Sequence, residues 1–367
     1  MKNARIISCL KPALLLSLLC TAAFVSPVSV RQPVDPVGFA TKAWQMDSVM
    51  SRIRKLQGSK IEEALDQNGI RPYTQWKIAI CPHDDYAYAG WLYPAILSNI
   101  KSPVVILIGV AHKAKKFGVE DHLVFDSFSS WKEPYGAVQV STFREWLLNK
   151  LPRSAYIIHD SLQQAEHSVE AIIPFLQYRN KNVEIVSILV PYMSFRTMDG
   201  LAFNLAVALQ KIIQEKDLMW GRDFSLVISN DAVHYGDQDW GGQNYATYGC
   251  DSAGYARAVD HEYQIIGNCL VGTLDQNRIR LFTEYTVQDT NYRVYKWPWC
   301  GRYSVPFGLL TADKLARLLG GGPLKGTLIG YHTSLDQPLI PVKDLNMGTT
   351  AVANLHHWVG YAAIGYK

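Results

Sequence analysis

Five short apolar runs constrain the fold more than any other feature of the chain. They are "WKIAIC" (76–81), "PVVILIGV" (103–110), "VEIVSILV" (183–190), "FSLVISN" (224–230) and "GTLIGYH" (326–332). Each is rich in Val or Ile and mostly continuous rather than alternating, the pattern of strands buried on both faces of a sheet. Segments with helical spacing of apolar residues accompany them. "MDSVMSRIRKLQGSKIEEALDQNG" starts at 46 and stops at Asn68-Gly69, "STFREWLLNKL" covers 141–151, and "SFRTMDGLAFNLAVALQKIIQE" covers 194–215. Strand alternating with helix predicts an α/β layered fold, with a central, mainly parallel or mixed β-sheet flanked by helices. No internal boundary is evident, so residues 46–367 read as one domain, preceded by a Pro- and Val-rich tether over 24–45.

Residues 1–23 read differently. Lys2, Arg5 and Lys11 precede the apolar run "PALLLSLLCTAAFV" (12–25), and no acidic residue occurs before Asp35. A basic segment, a short apolar segment and small residues at 21–23 predict a signal peptide cut after Ala23, and hence an exported protein, periplasmic or extracellular. The run is short for a membrane span. An uncleaved anchor reaching Val30, or lipidation at Cys20, is the alternative that would attach the chain to a membrane. Cleavage would remove three of the residues behind the net charge of +4. The remainder is close to neutral, which argues against a nucleic-acid partner. Outside the leader lie Cys81, Cys250, Cys269 and Cys300, too few for a disulfide scaffold. An oxidised pair, if present, is expected between Cys250 and Cys269.

Polar residues follow three of the buried runs. "WKIAICPHDD" delivers His83, "VVILIGVAHK" delivers His112, and "FSLVISNDAVHYG" delivers Asp231 and His234. Parallel strands collect such residues at one carboxyl edge, where α/β folds place their chemistry. "HDSLQQAEHSVEAIIPFL" sets Glu166, His167 and Glu170 at the expected start of an apolar helix, and "YKWPWCGRYSVPFGLL" holds Cys300 before a Gly-Arg turn. Taken singly, each has a structural reading: Asp231 or Glu166 as a helix cap, Cys300 as a small buried hydrophobe, Trp297 and Trp299 as packing.

Taken in order, "PHDDYAYAG", "ILIGVAHK", "AEHSVEAIIPFL", "VSILVP", "VISNDAVHYG" and "CGRYSVPFGLL" resemble the motifs of the Memo family. Its bacterial members are called AmmeMemoRadiSam system protein B, and its fold is related to the catalytic subunit of class II extradiol dioxygenases. The matching blocks span roughly residues 75–312. The resemblance implies a metal site at His83, His112 and Cys300, with His234, Asp231 and His167 lining the same pocket in catalytic roles. Two imidazoles and a thiolate suit copper(I) or iron(II), with zinc as a further option, and three protein ligands leave an open position. The expected function is therefore a metal-dependent, dioxygenase-like oxidoreductase acting on a small molecule. The alternative is a non-enzymatic protein holding a metal or peptide in the same cleft, as the signalling role of animal relatives suggests. Three departures touch the pocket. Lys113 and Ile172 stand where the family has histidines, and Asp84-Asp85 follows His83. The two aspartates are expected either to face solvent or to hydrogen-bond the His83 ring.

Overall fold

A computed structural model describes Met1 and residues 29–367. The predicted leader, including Cys20, lies outside the described residues. Among the described residues no helix is long and apolar enough to cross a membrane.

All five apolar runs form strands. Four of them, Glu184–Val190, Val104–Val110, Phe224–Ser229 and Ile78–Cys81, are parallel neighbours in that spatial order. The fifth, Lys325–Thr333, lies beyond them and is antiparallel to its neighbour. Together they are the middle of a 13-stranded mixed sheet. Continuous apolar runs are needed because alternate residues of each strand face different cores. Ile78 and Ile80 join one cluster with Met198, Leu205 and Leu309, while Ala79 and Cys81 join the other with Val49, Ile53 and Phe175. Helices Phe195–Lys216 and Ser304–Leu318 cover the first face, and Ala43–Gln67, Leu92–Leu97 and Ile173–Arg179 cover the second. Each fully buried aliphatic side chain contributes roughly 1.5–3 kcal/mol relative to exposure, so a polar substitution in these strands breaks the layer.

The helical readings hold with small shifts in boundary. The first ends at Gln67 and is closed by Gly69 at φ +64, and the long one begins after Ser194, whose hydroxyl accepts from Thr197 N–H. Two readings need correction. Residues 30–45 are not a tether: Val30–Arg31 pairs with Ser130–Glu133, Arg31 is buried on Glu170, and Phe39 packs on Tyr86. Nor do Glu166 and Glu170 open a helix. Glu166 follows the short helix Asp160–Ala165, and the next helix starts only at Ile173.

One central strand has no counterpart in the sequence reading. His357–Tyr366 runs antiparallel between Ile78–Cys81 and Lys325–Thr333. Its Gly360, Ala362, Ala363 and Gly365 hide it from hydropathy, yet they are needed: a Cβ at Gly365 would lie 2.3 Å from the Trp76 ring.

Candidate metal centre

In-register pairing of the parallel strands decides where the site is. Cys81 pairs with Ser229 and Val110 with Val190, so the chain leaves the sheet at one edge from each strand. His83, His112 and Asp231 emerge there, and the loop bearing Cys300 closes over them. Cys300 N–H donates to Asp231 O (3.2 Å), and Gly301 N–H donates to Asn230 Oδ1 (3.0 Å). Gly301 permits that approach, since a Cβ would stand 2.2 Å from Asn230 Oδ1.

One donor atom each from His83, His112 and Cys300 lies within 4.8 Å of the others. Their hydrogen bonds fix which ring nitrogens face inward. Ser229 Oγ donates to Ser168 O at 2.6 Å, a carbonyl that can only accept, so at 2.7 Å it must accept from His83 Nδ1–H. The His83 lone pair is then on Nε2. That atom is buried and has no hydrogen-bond partner among the described residues; Asp231 Oδ2 is 3.3 Å away without hydrogen-bond geometry. His112 repeats the arrangement, its Nδ1 donating to Glu166 Oε1 at 2.8 Å and its Nε2 lying 3.5 Å from Cys300 Sγ. A metal-binding imidazole commonly gives its second N–H to such a partner. The residues present therefore fit a soft or borderline transition metal: two oriented lone pairs, one of them orphaned, and one sulfur.

Glu166 is completely buried. Its carboxylate accepts from His112 N–H (2.7 Å), His112 Nδ1, His167 N–H (3.0 Å) and Ser168 N–H (2.9 Å). Burial alone would raise its pKa, but His112, His167 and the Ser168 N–H outweigh it and hold the group at about 2. The carboxylate thus stays ionised.

Burial pushes the imidazoles the other way. His83 is held well below the usual range by burial and then by its neighbouring histidines, while His167 and His234 fall to about 4 from burial and the nearby His112. Neutral rings are what metal ligation and proton acceptance require. Burial, then Asp231, pushes the Cys300 thiol well up, so a cation must displace its proton.

His234 and His167 border the same cavity of about 320 Å³, as do Asp231 and Trp240. His234 Nε2 is 3.3 Å from Cys300 Sγ, and the His167 ring stacks on His112 with centroids 4.7 Å apart. Asp231 caps no helix; the next element is the strand His234–Gly236, and its Oδ1 accepts from His83 N–H at 2.8 Å. Asp84 and Asp85 line the same cavity without hydrogen-bonding the His83 ring. Asp84 accepts from Tyr361 Oη (2.6 Å), and Asp85 accepts from Thr350 N–H (2.6 Å) and Oγ1. Burial, then the Asp84 charge, raises Asp85 to about 8. Ile172 is a buried core residue, and among the described residues Cys250 and Cys269 form no disulfide.

On the far side of His112 and Cys300 a second cavity of about 430 Å³ is lined by Lys115, Arg293 and Arg302 among tyrosines. The two candidate ligands therefore stand between an acidic, histidine-rich cavity and a basic one.

Glu262 has no sequence signal. It is fully buried on the helix Ser252–Ile265 and accepts from both flanking indoles, Trp297 Nε1 and Trp299 Nε1, at 2.6 Å each, and from Val233 N–H at 3.0 Å. One carboxyl thus ties the Cys300 loop to the strand carrying His234. The Trp-Pro-Trp segment looked like packing because the partner is remote in sequence.

A family profile described as "Memo-like protein" matches residues 51–339. The chain belongs to the Memo family. Among curated relatives, a MEMO1 family protein of Pyrobaculum aerophilum is 29% identical over 166 residues, covering 44% of this chain and 54% of the relative. One from Thermotoga petrophila is 30% identical over 167 residues, covering 43% and 54%. One from Thermococcus kodakarensis is 25% identical over 297 residues, covering 78% of this chain and 86% of its own length. The alignments to the first relatives thus span about half of their length.

Proposed function

We propose that this Memo family chain is a metal-dependent oxidoreductase that holds Cu(I) or Fe(II) between His83, His112 and Cys300 and works on a small organic molecule in the adjoining cavity. The convergence of two oriented Nε2 lone pairs on the Cys300 sulfur carries this reading. Such a metal supplies one-electron redox chemistry. The chain supplies the rest. Ser229 and Glu166 keep both rings in the ligating tautomer, and the Trp297–Glu262–Trp299 bracket holds Cys300 over them. His234, neutral and 3.3 Å from the sulfur, is placed to take a proton from a substrate group or from the thiol itself. Asp231 fixes the His83 backbone, and His167 stacks as a wall.

Thiolate is the soft member of the set, so it decides metal preference. Competition of the purified protein against a Cu(I) chelator tests this. Cys300→Ser should weaken Cu(I) binding by at least about 100-fold, and His112→Ala by about 10–100-fold. His234→Ala should leave affinity within about threefold, as expected of a proton acceptor rather than a ligand. Equal affinity of wild type and Cys300→Ser would refute the site; a His234→Ala loss as large as that of His112→Ala would move His234 into the ligand set.

A further inference from the structure

A separate cysteine-histidine-carboxylate grouping stands outside this cavity. Asp237 follows the strand His234–Gly236, Cys250 precedes the helix Ser252–Ile265, and His356 precedes the strand His357–Tyr366. One donor atom from each lies within 4.8 Å of the others. His356 Nδ1 and Asp237 Oδ1 are 2.7 Å apart, and both side chains reach solvent at 46% and 38% exposure, so an ion has access.

The backbone holds Asp237 and His356 together independently of the side chains. Asp237 N–H and Gln238 N–H both donate to His356 O at 3.1 Å. Gly236 sits at φ +130 with its missing Cβ only 1.9 Å from that same oxygen, so no larger residue fits there. Asp251 caps the following helix by accepting from Gly254 N–H at 2.7 Å, which fixes the residue next to Cys250.

Asp237 and Cys250 are also the two ends of one loop. Between them runs a largely exposed, glycine-rich segment that carries Trp240 to the wall of the main cavity, where its ring stacks on His357 at 3.9 Å. We infer that Asp237, Cys250 and His356 form a second metal site, of the zinc class, that closes the base of the loop bearing Trp240. Sulfur, imidazole and a hard carboxylate together suit borderline Zn(II) better than Cu(I), and exposure leaves the fourth position to water. A tetrahedral ion with bonds of roughly 2.0–2.3 Å spaces its donors about 3.3–3.7 Å apart, so only small side-chain rotations are required. Binding replaces the His356–Asp237 hydrogen bond with bonds to the ion: the imidazole proton moves from Nδ1 to the solvent-facing Nε2, the Cys250 thiol proton leaves to water, and carboxylate, imidazole and thiolate each donate one electron pair.

Mass spectrometry of alkylation, read at each cysteine separately, tests this on the full-length protein in a phosphine reductant. Added Zn(II) should slow alkylation of Cys250 by at least about tenfold, and His356→Ala or Asp237→Ala should abolish the slowing. Because Cys300 is read in the same spectra, failure of the main site would appear there and not at Cys250. Chymotryptic cleavage between Trp240 and Tyr248 should slow in parallel. Equal Cys250 alkylation with and without zinc, or protection surviving both substitutions, overturns the site. Protection of Cys250 with unchanged loop cleavage overturns the clamp.

Discussion

Glu166 and Glu262 are both wholly buried, yet their carboxyls are shifted in opposite directions. Glu166 is held at about 2, whereas burial lifts Glu262 to about 7 even though two indoles, the Val233 N–H and the Tyr331 hydroxyl pull it back. Burial is common to the two, so it cannot be what separates them. The partners differ. Glu166 faces imidazoles that gain from a fixed anion, and Glu262 faces neutral donors that carry no charge. The first glutamate orients a candidate ligand and the second positions the loop that brings the sulfur.

Truncating Glu262 gives the largest effect expected from this contrast. Glu262→Ala leaves two indole N–H groups and a backbone N–H unpaired in the core, and should cost on the order of 3–5 kcal/mol in denaturant unfolding. Glu262→Gln, whose oxygen keeps both indoles while its amide nitrogen faces the Val233 N–H, should recover only part of it. The wild-type carboxyl has a raised native pKa, so its protonated form is favoured by folding. Its contribution is full below the unfolded value near 4.5 and is lost as pH rises to about 7, on the order of 3 kcal/mol. Glu262→Gln should flatten that limb, and an unchanged limb would mean Glu262 titrates normally.

Glu166 has the opposite sign. Its lowered pKa gives stability that is present above about 4.5 and lost as pH falls toward about 2. Glu166→Gln should remove that acid limb and, by turning an amide toward the His112 N–H, weaken metal binding about 10–100-fold. Undiminished metal affinity would make Glu166 a core anion with no part in orienting the ligand.

Asp231→Asn is the smallest. An amide oxygen still accepts from His83 N–H, so stability should change by less than about 1 kcal/mol and metal affinity by less than about threefold. Loss of folding would give Asp231 a structural weight that its single 2.8 Å hydrogen bond does not explain.

Local pattern made the architecture legible. Val- and Ile-rich runs can satisfy neither water nor a half-exposed face, so they had to become doubly covered strands, and His83, His112 and Asp231 followed three of them directly. The Gly- and Ala-rich strand His357–Tyr366 escaped because its place between two other strands depends on backbone closeness rather than on apolar bulk. Residues 30–45 escaped because a buried Arg31 is tolerable only against Glu170, which is 139 positions away. The sequence by itself determined the layers and which residues reach the sheet edge, since both depend on periodicities of two and 3.6 residues. Only the tertiary structure decided which nitrogen each histidine offers, that Glu166 is an anion and that Glu262 grips the Cys300 loop. Those outcomes depend on hydrogen bonds between groups 146, 54 and 37 positions apart, and no local pattern encodes such a partner.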